Sequence, residues 1–311
     1  MSDQYTQGTP GSLIVTFYGA YGRGRTDAPD SPGGLKAADR ADGPDGGDHA
    51  DGPDGPVPVA ALIRLLGVLG VDPPSVRSAV SRLKRRGLLV AARTESGAAA
   101  YGLSDAAHQL LDDGDRRIYG RPSPAPSDGW VLAVFSVPEQ ERHKRHLLRS
   151  RLARLGFGTA APGVWIAPSH LYDETRHTLD RLRLSPYVDL FTGAHAGFEP
   201  TADAVARWWD LESLAGRHRA FLAAHEPVLR HWSGRRPGRP EAAYRDYLYA
   251  LDAWRRLPYA DPGLPSPLLP GDWPGGHAAD VFGQLHTRLR AAGARFVRTA
   301  LDGPGRAAAT A

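Results

Sequence analysis

A short segment over residues 74–87, PSVRSAVSRLKRRG, constrains this chain most, because its residues divide between an apolar and a basic helix face. Apolar side chains recur at i, i+3, i+4 and i+7, the spacing that buries one side of a helix. They are Val76, Ala79, Val80 and Leu83. The remaining face carries Arg77, Ser78, Ser81, Arg82, Lys84 and Arg85. Such a face can contact phosphates and base edges in a major groove, so the pattern indicates a DNA-recognition helix.

The flanking segments extend this helix into a larger unit. Residues 59–70 predict a preceding helix whose apolar stripe consists of Leu62, Leu65, Leu66 and Leu69. Gly70 is a stop signal for this helix, Asp72 can cap the next helix, and Pro73 suits the first turn of that helix. After the basic helix, short strands over 88–92 and 98–103 enclose a turn, and Ser104 can cap another helix. Helix, turn, helix and hairpin together predict a winged helix-turn-helix.

DNA contact is the function that this unit favours. Between residues 77 and 93 the sequence holds six basic residues and no acidic one. A structural helix with a solvated face and a protein interface remain alternatives, because nearly all of the basic residues in this chain are arginines, which weakens arginine as a signal. We predict that the DNA-binding residues are Ser75, Arg77, Ser78, Ser81, Arg82, Lys84, Arg85, Arg86 and Arg93.

The whole chain sets broader limits. Its 311 residues suffice for two or three domains, and a net charge of +4 permits nucleic-acid binding without requiring it. No cysteine is present, which excludes disulfides, thiolate metal sites and thiol catalysis. The sequence has neither a signal-peptide pattern nor an apolar run that could span a bilayer. We therefore expect a cytoplasmic protein without membrane contact.

An acidic insertion interrupts the N-terminal part of the chain. Residues 12–22 form a compact apolar segment that could be the first helix of the DNA-binding unit. Residues 24–56 then consist mainly of Gly, Pro, Asp and Ala, a composition that cannot build a core and predicts a disordered loop. Its aspartates and His49 lack the ligand spacing of a calcium loop, so we expect no metal here.

A Pro/Ser linker at 121–128 separates this part from a different pattern. Strand-like runs at 130–137, 163–167 and 188–193 alternate with helical segments at 139–155 and 171–184, which fits a small ferredoxin-like sandwich. The remainder is mainly helical, with a proline-rich break at 257–276 and a last helix at 277–297. We predict an α+β chain with a winged helix-turn-helix domain (11–118, including the insertion), a ferredoxin-like central domain (128–200) and a helical C-terminal domain (201–300).

Three separated motifs together resemble the PaaX family of repressors of phenylacetic acid degradation. They are SVRSAVSRLKRRGLL, the central FSVPE followed by a basic helix and LGFGTAAPGVWIAP, and the C-terminal LPYADPGLPSPLLPGDWPG. The resemblance covers most of the chain. It implies a homodimeric transcriptional regulator of three domains that an acyl-CoA thioester such as phenylacetyl-CoA releases from DNA.

The chain departs from the family pattern in two places. The acidic insertion between the first and second helices is not a family feature. In the hairpin, Ala98, Ala99 and Ala100 stand where relatives tend to carry a polar or basic residue, before the tyrosine matched by Tyr101. Phosphate contacts from the wing are therefore expected to come from Arg93 and backbone groups.

The central domain also resembles the small CRISPR-associated nuclease fold, which raises an enzymatic alternative. That nuclease needs a metal-binding aspartate at the end of the first strand. Here the position is Ser136, which cannot supply the carboxylate that a hard divalent cation prefers. No nucleophile elbow, zinc-protease motif or phosphate loop is present elsewhere. We expect no catalysis and no cofactor.

The basic central helix leaves three functions open: a solvated face, a second surface for DNA phosphates, or a cradle for the phosphates of coenzyme A. Under the third, the effector-binding residues would be Arg142, Lys144, Arg145, Arg149 and Trp165. The tryptophan-rich C-terminal region is core, an acyl pocket or a dimer surface. We predict a sequence-specific DNA-binding repressor that reads a pseudo-palindromic operator as a dimer. A regulator of the same fold that senses another ligand or a protein partner is the alternative function.

Overall fold

The computed structural model describes residues 8–23, 55–120, 124–234 and 238–302. The chain is a mixture of helix and sheet, consistent with the α+β prediction. The predicted disordered insertion lies outside the described residues except for its last two positions, and so does the start of the Pro/Ser linker. No helix in the described ranges is long and apolar enough to cross a membrane.

The chain divides into two compact units that are discontinuous in sequence. Unit 1 comprises residues 1–113, 227–252 and 282–311, and unit 2 comprises 114–226 and 253–281. The three predicted domain boundaries stay a prediction.

Unit 1 begins with three helices and a small antiparallel sheet. The helices are α1 (Pro10–Tyr21), α2 (Val59–Gly67) and α3 (Pro73–Arg85), and the strands are β1 (Val57–Pro58), β2 (Leu89–Arg93) and β3 (Ala99–Leu103). The strand order is β1-β3-β2. The predicted stripes are buried: Leu62, Leu65 and Leu66 of α2 with Leu69 just after it, and all four apolar residues of α3. Both helices pack against α1, which buries Leu13, Ile14 and Phe17.

Further helices follow later in the chain: α4 (Asp105–Ile118), α7 (Thr201–Trp208), α8 (Leu211–Trp232), α9 (Pro240–Trp254) and α10 (Gly275–Asp302). Within unit 1, α9 is tied to α1 by a buried carboxylate. Asp252 accepts hydrogen bonds from the hydroxyls of Ser12 and Thr16. Tyr21 of α1 also stacks near Tyr244 of α9, with ring centroids 5.9 Å apart. The N-terminal helix is therefore held by polar as well as aromatic contacts.

Unit 2 contains a four-stranded antiparallel sheet with two helices on one face. The elements are β4 (Trp130–Phe135), α5 (Arg142–Leu155), β5 (Gly158–Ala161), β6 (Val164–Pro168), α6 (Tyr172–Arg181) and β7 (Val188–Gly193). The strand order is β5-β6-β4-β7. One core joins the sheet to α5 and α6 through Val131, Leu148 and Leu179. A second core covers the opposite face with Trp130, Ile166 and Trp209.

The end of α5 shows why glycine is needed there. Gly156 terminates the helix in the left-handed region (φ +95°), and its carbonyl accepts the indole N–H of Trp209 at 2.9 Å. At Gly158, an added Cβ would lie 2.5 Å from the carbonyl oxygen of Trp208. The chain can pass this point only without a side chain.

Several element predictions needed correction. Strand β5 was missed because its sequence, GTAA, lacks the alternating bulky residues that signal a strand, and β1 is too short to give a pattern. The helix predicted over 139–155 begins at Arg142, because the three residues after Pro138 form a 3-10 turn. The last helix is longer than predicted at both ends.

Candidate nucleic-acid interface

The start of α3 is fixed by local hydrogen bonding. The carboxylate of Asp72 accepts the backbone N–H of Ser75 at 2.9 Å, and prolines occupy the first helical positions. Its hydrogen bonds to Ser75 lower the pKa of Asp72, so the cap is charged at neutral pH. Gly70, at φ +72°, makes the turn from α2.

The polar face of α3 points to solvent as the sequence predicts. Val76 and Ala79 are completely buried on the other face. Arg82 donates to the hydroxyl of Ser78 at 2.7 Å, one turn earlier, which lays its guanidinium along the helix surface. The exposed residues of this segment are Arg77, Ser78, Ser81, Arg82, Lys84, Arg85 and Arg86, whereas Ser75 is half-buried.

The hairpin of β2 and β3, which packs against α3 through β2, carries one further exposed cation. Arg93, at the end of β2, is exposed and donates to the carbonyl of Gly97 at 2.8 Å across the turn. Of the three alanines that replace polar family residues, Ala98 and Ala99 are exposed and Ala100 is buried. Besides Arg93, the tip carries the hydroxyls of Thr94 and Ser96, which hydrogen-bond to each other at 2.9 Å, and the exposed carboxylate of Glu95.

Two hydrogen bonds hold the hairpin to the helices of unit 1. The Ser104 hydroxyl donates to the carbonyl of Gly87 at 2.6 Å, where α3 has just ended. The hydroxyl of Tyr18, on α1, donates to the carbonyl of Tyr101 at 2.7 Å. Burial raises the pKa of Tyr18, which keeps its hydroxyl a donor. These bonds fix the position of the hairpin next to α3.

We call Arg77, Arg82, Lys84, Arg85, Arg86 and Arg93 the six-cation surface. Within the described ranges, none of the six forms an ion pair with a carboxylate. Their charge is therefore not neutralised locally. A surface of this kind attracts a polyanion such as duplex DNA.

A second group of predicted residues meets in unit 2. Arg145 and Arg149 of α5 and Trp165 of β6 line one cleft of about 580 Å³. Its other walls come from the end of β4, from β5 and from the turn before β6. Arg142 lies outside this cleft, on an adjoining basic depression of about 450 Å³.

Lys144 is directed to a different place. It pairs with Glu141 at 2.7 Å and contacts the Tyr187 hydroxyl, which also donates to Glu141 at 2.7 Å. These bonds lower the pKa of Glu141 and raise that of Lys144. Lys144 thus joins a local cluster and not the cleft with Trp165.

Ser136 directly follows β4, where the nuclease would need its aspartate, and donates its N–H to the carbonyl of Tyr187. Among the described residues, no cluster of three or more His, Asp or Glu side chains could hold a metal ion.

Comparisons with known proteins identify the family. Models for the PaaX-like protein, the PaaX protein central Cas2-like domain and the PaaX-like protein C-terminal domain match residues 47–107, 123–205 and 209–299 in turn. The transcriptional repressor PaaX of Escherichia coli (strain K12) is 26% identical over 243 residues, which cover 76% of this chain and 75% of that repressor. The chain belongs to the PaaX family.

A solved structure agrees with this PaaX family fold. The uncharacterized protein Rv0674 from Mycobacterium tuberculosis superposes with a TM-score of 0.53 at 23% identity, over 78% of this chain and 92% of that chain. At this identity the likeness concerns the fold alone.

Sequence reasoning missed part of the unit 2 cleft. Ser136 and Thr159 also line it, beside Phe135 and Val137. They come from the loop after β4 and from the unrecognised strand β5, so no motif in the sequence joins them to the arginines of α5.

Proposed function

We propose that this PaaX family protein is a transcriptional repressor that binds double-stranded DNA through the exposed face of α3. The six-cation surface carries this proposal, because its α3 residues lie opposite a buried apolar stripe and none of the six cations forms an ion pair within the described residues. A helix with its side chains is about 10–12 Å wide and the major groove about 12 Å, so α3 can enter it. The matched Escherichia coli protein is a transcriptional repressor, which supports the same role here.

The order of elements supports a finer assignment of the fold. Helix α2, the turn at Gly70, α3 and the β2–β3 hairpin follow one another as in a winged helix-turn-helix. In unit 2, the β-α-β-β-α-β succession and the strand order β5-β6-β4-β7 support a ferredoxin-like sandwich. We assign the first to DNA binding and the second to a non-enzymatic role, with Ser136 in place of a catalytic carboxylate.

The repressor acts as a homodimer in this proposal, as the family resemblance implies. A two-fold dimer presents two copies of α3, which read inverted half-sites about 34–36 Å apart, or a multiple of that distance. The effector in this proposal is an acyl-CoA thioester, with phenylacetyl-CoA as the first candidate. The family resemblance supports this choice of effector.

Selection from random duplex DNA tests the DNA-binding role. The full chain should enrich a two-fold symmetric site, and the triple variant Arg77→Ala, Arg82→Ala, Arg85→Ala should lose at least about tenfold in affinity for it. A matched control removes three exposed arginines elsewhere, at Arg154, Arg176 and Arg217, and should bind nearly as wild type. Equal losses of DNA affinity in the two triple variants would show that only the net charge of the chain matters.

Titration of the operator complex with phenylacetyl-CoA tests the effector. An effector that weakens operator binding by some factor must, by linkage, bind the operator complex more weakly than the free protein by the same factor. This factor is typically about 5–150-fold. Release by phenylacetyl-CoA supports the proposal. Operator binding that is insensitive to it would favour a regulator that responds to another ligand or to a protein partner.

A further inference from the structure

The cleft of unit 2 combines an aromatic wall with two cations. We call it the α5 cleft, lined by Phe135, Ser136, Val137, Arg145, Arg149, Thr159, Ala160, Ala161, Pro162, Gly163 and Trp165. Its volume of about 580 Å³ lies within the range of small-molecule sites, roughly 300–1,000 Å³. Trp165 is 8% exposed, so its ring is held by the core. One side of the cleft is therefore apolar and rigid.

The two arginines of the cleft differ in how they are held. Arg145 donates to the carbonyl of Val137 at 2.8 Å and approaches Glu139 at 3.4 Å, which orients its guanidinium. Arg149, one helical turn later, is exposed and forms no hydrogen bond or ion pair within the described part of the chain. Arg145 is thus held in one orientation, and the neighbouring Arg149 has all its donors available. An anion can accept hydrogen bonds from both guanidinium groups.

The cleft continues into a second, more polar depression, which we call the α5 shelf. Arg145 and Arg149 line both, and the shelf adds Glu139, Arg142, His143 and His146. The shelf measures about 450 Å³, and among the described residues that line it Glu139 is the one carboxylate, which is already near Arg145. The pair of sites thus has an apolar end, two bridging arginines and a basic end.

We propose that the α5 cleft and shelf bind a small molecule that carries phosphate groups at one end and an apolar group at the other. The phosphates lie on the shelf against Arg145 and Arg149, because guanidinium groups pair with phosphate in bidentate fashion. The apolar group enters the cleft beside Trp165. This inference rests on the proposed function in that the site would hold the effector, and an acyl-CoA thioester has both ends.

Calorimetry on the full chain tests the site with defined compounds. Phenylacetyl-CoA should bind more tightly than coenzyme A, because only the thioester carries the apolar group, and phenylacetate should bind weakly because it lacks the phosphates. Arg145→Ala and Arg149→Ala should each weaken phenylacetyl-CoA binding about tenfold or more. Arg154→Ala, an exposed arginine of the same helix outside both depressions, is the matched control and should change affinity less than twofold.

Lys144 gives a second, sharper comparison. Because it pairs with Glu141 and Tyr187 and lines neither depression, Lys144→Met should leave the affinity within twofold of wild type. Thermal unfolding of each variant confirms that the chain remains folded before its affinity is interpreted.

The outcomes separate this inference from the proposed function. Unchanged phenylacetyl-CoA affinity in both cleft variants, or absence of binding to the wild type, would overturn the site while leaving operator binding standing. If the cleft variants lose phenylacetyl-CoA binding but the wild type selects no DNA site, the ligand site is supported and the proposed repressor function is overturned. If the cleft variants instead bind random DNA more weakly and still bind phenylacetyl-CoA as the wild type does, the shelf contacts the DNA backbone. This result would contradict the proposal.

Discussion

Removal of the Asp252 carboxylate should loosen the N-terminal helix from the rest of unit 1. Asp252 is 3% exposed and accepts the hydroxyl of Thr16 at 2.8 Å together with that of Ser12. Thr16 is itself 2% exposed, so in Asp252→Ala its hydroxyl loses an acceptor that water cannot easily replace. A hydrogen bond to a charged group contributes about 1.5–3 kcal/mol, and the half-buried Ser12 bond adds less. We expect a loss of about 2–4 kcal/mol.

Differential scanning calorimetry measures this loss in the full chain. At about 2–4 °C per kcal/mol, the transition that contains unit 1 should fall by several degrees. A double-mutant cycle with Thr16→Val isolates the pair and should give a coupling of about 1–2 kcal/mol. Asp180→Ala removes an exposed carboxylate of α6 and serves as the control. Additive effects of Asp252→Ala and Thr16→Val would refute the reasoning.

Three further predictions concern acid stability, backbone packing and the insertion. Burial lowers the pKa of His225 from 6.5 to about 4, so the unfolded chain binds a proton between these values while the folded chain does not. The contribution of His225 to stability should fall by up to about 3 kcal/mol as pH drops from 6.5 to 4, and denaturant titrations should show a flatter profile for His225→Leu. Gly158→Ala should destabilise unit 2 by about 1–3 kcal/mol, because its Cβ would meet the Trp208 carbonyl oxygen, and thermal unfolding measures this; an unchanged midpoint would contradict it. Replacement of residues 26–55, which include eight aspartates, by a short neutral linker should strengthen random-DNA binding most at low salt; equal affinities across a salt series would contradict charge competition.

The sequence predicted the local structure of the candidate interface far better than that of the cleft. The stripe from Val76 to Leu83 repeats with the helical period, and Asp72 and Gly87 mark its ends, so all the information lies within about 16 residues. The cleft combines α5 with β5 and the loop after β4, which are apart in sequence and join only through the sheet order. Strand β5 itself has no periodic signal.

Side-chain direction was the other limit. Arg145, Arg149 and Lys144 look equivalent in a basic helix, yet Tyr187 and Glu141 draw Lys144 away from the cleft. Tyr187 lies 43 residues further along the chain, and no pattern links it to Lys144. Basic character could be predicted from composition, but the assignment of each cation to a surface required the fold.

The salt dependence of DNA affinity tests the central claim most directly. Fluorescence anisotropy would compare the selected site with random DNA, for the wild type and for the Arg77, Arg82, Arg85 triple alanine variant. The account predicts that the variant loses its preference for the selected site and that the slope of log affinity against log salt flattens by about 0.9 for each lost phosphate contact. An unchanged preference with an unchanged slope would show that α3 does not read the DNA.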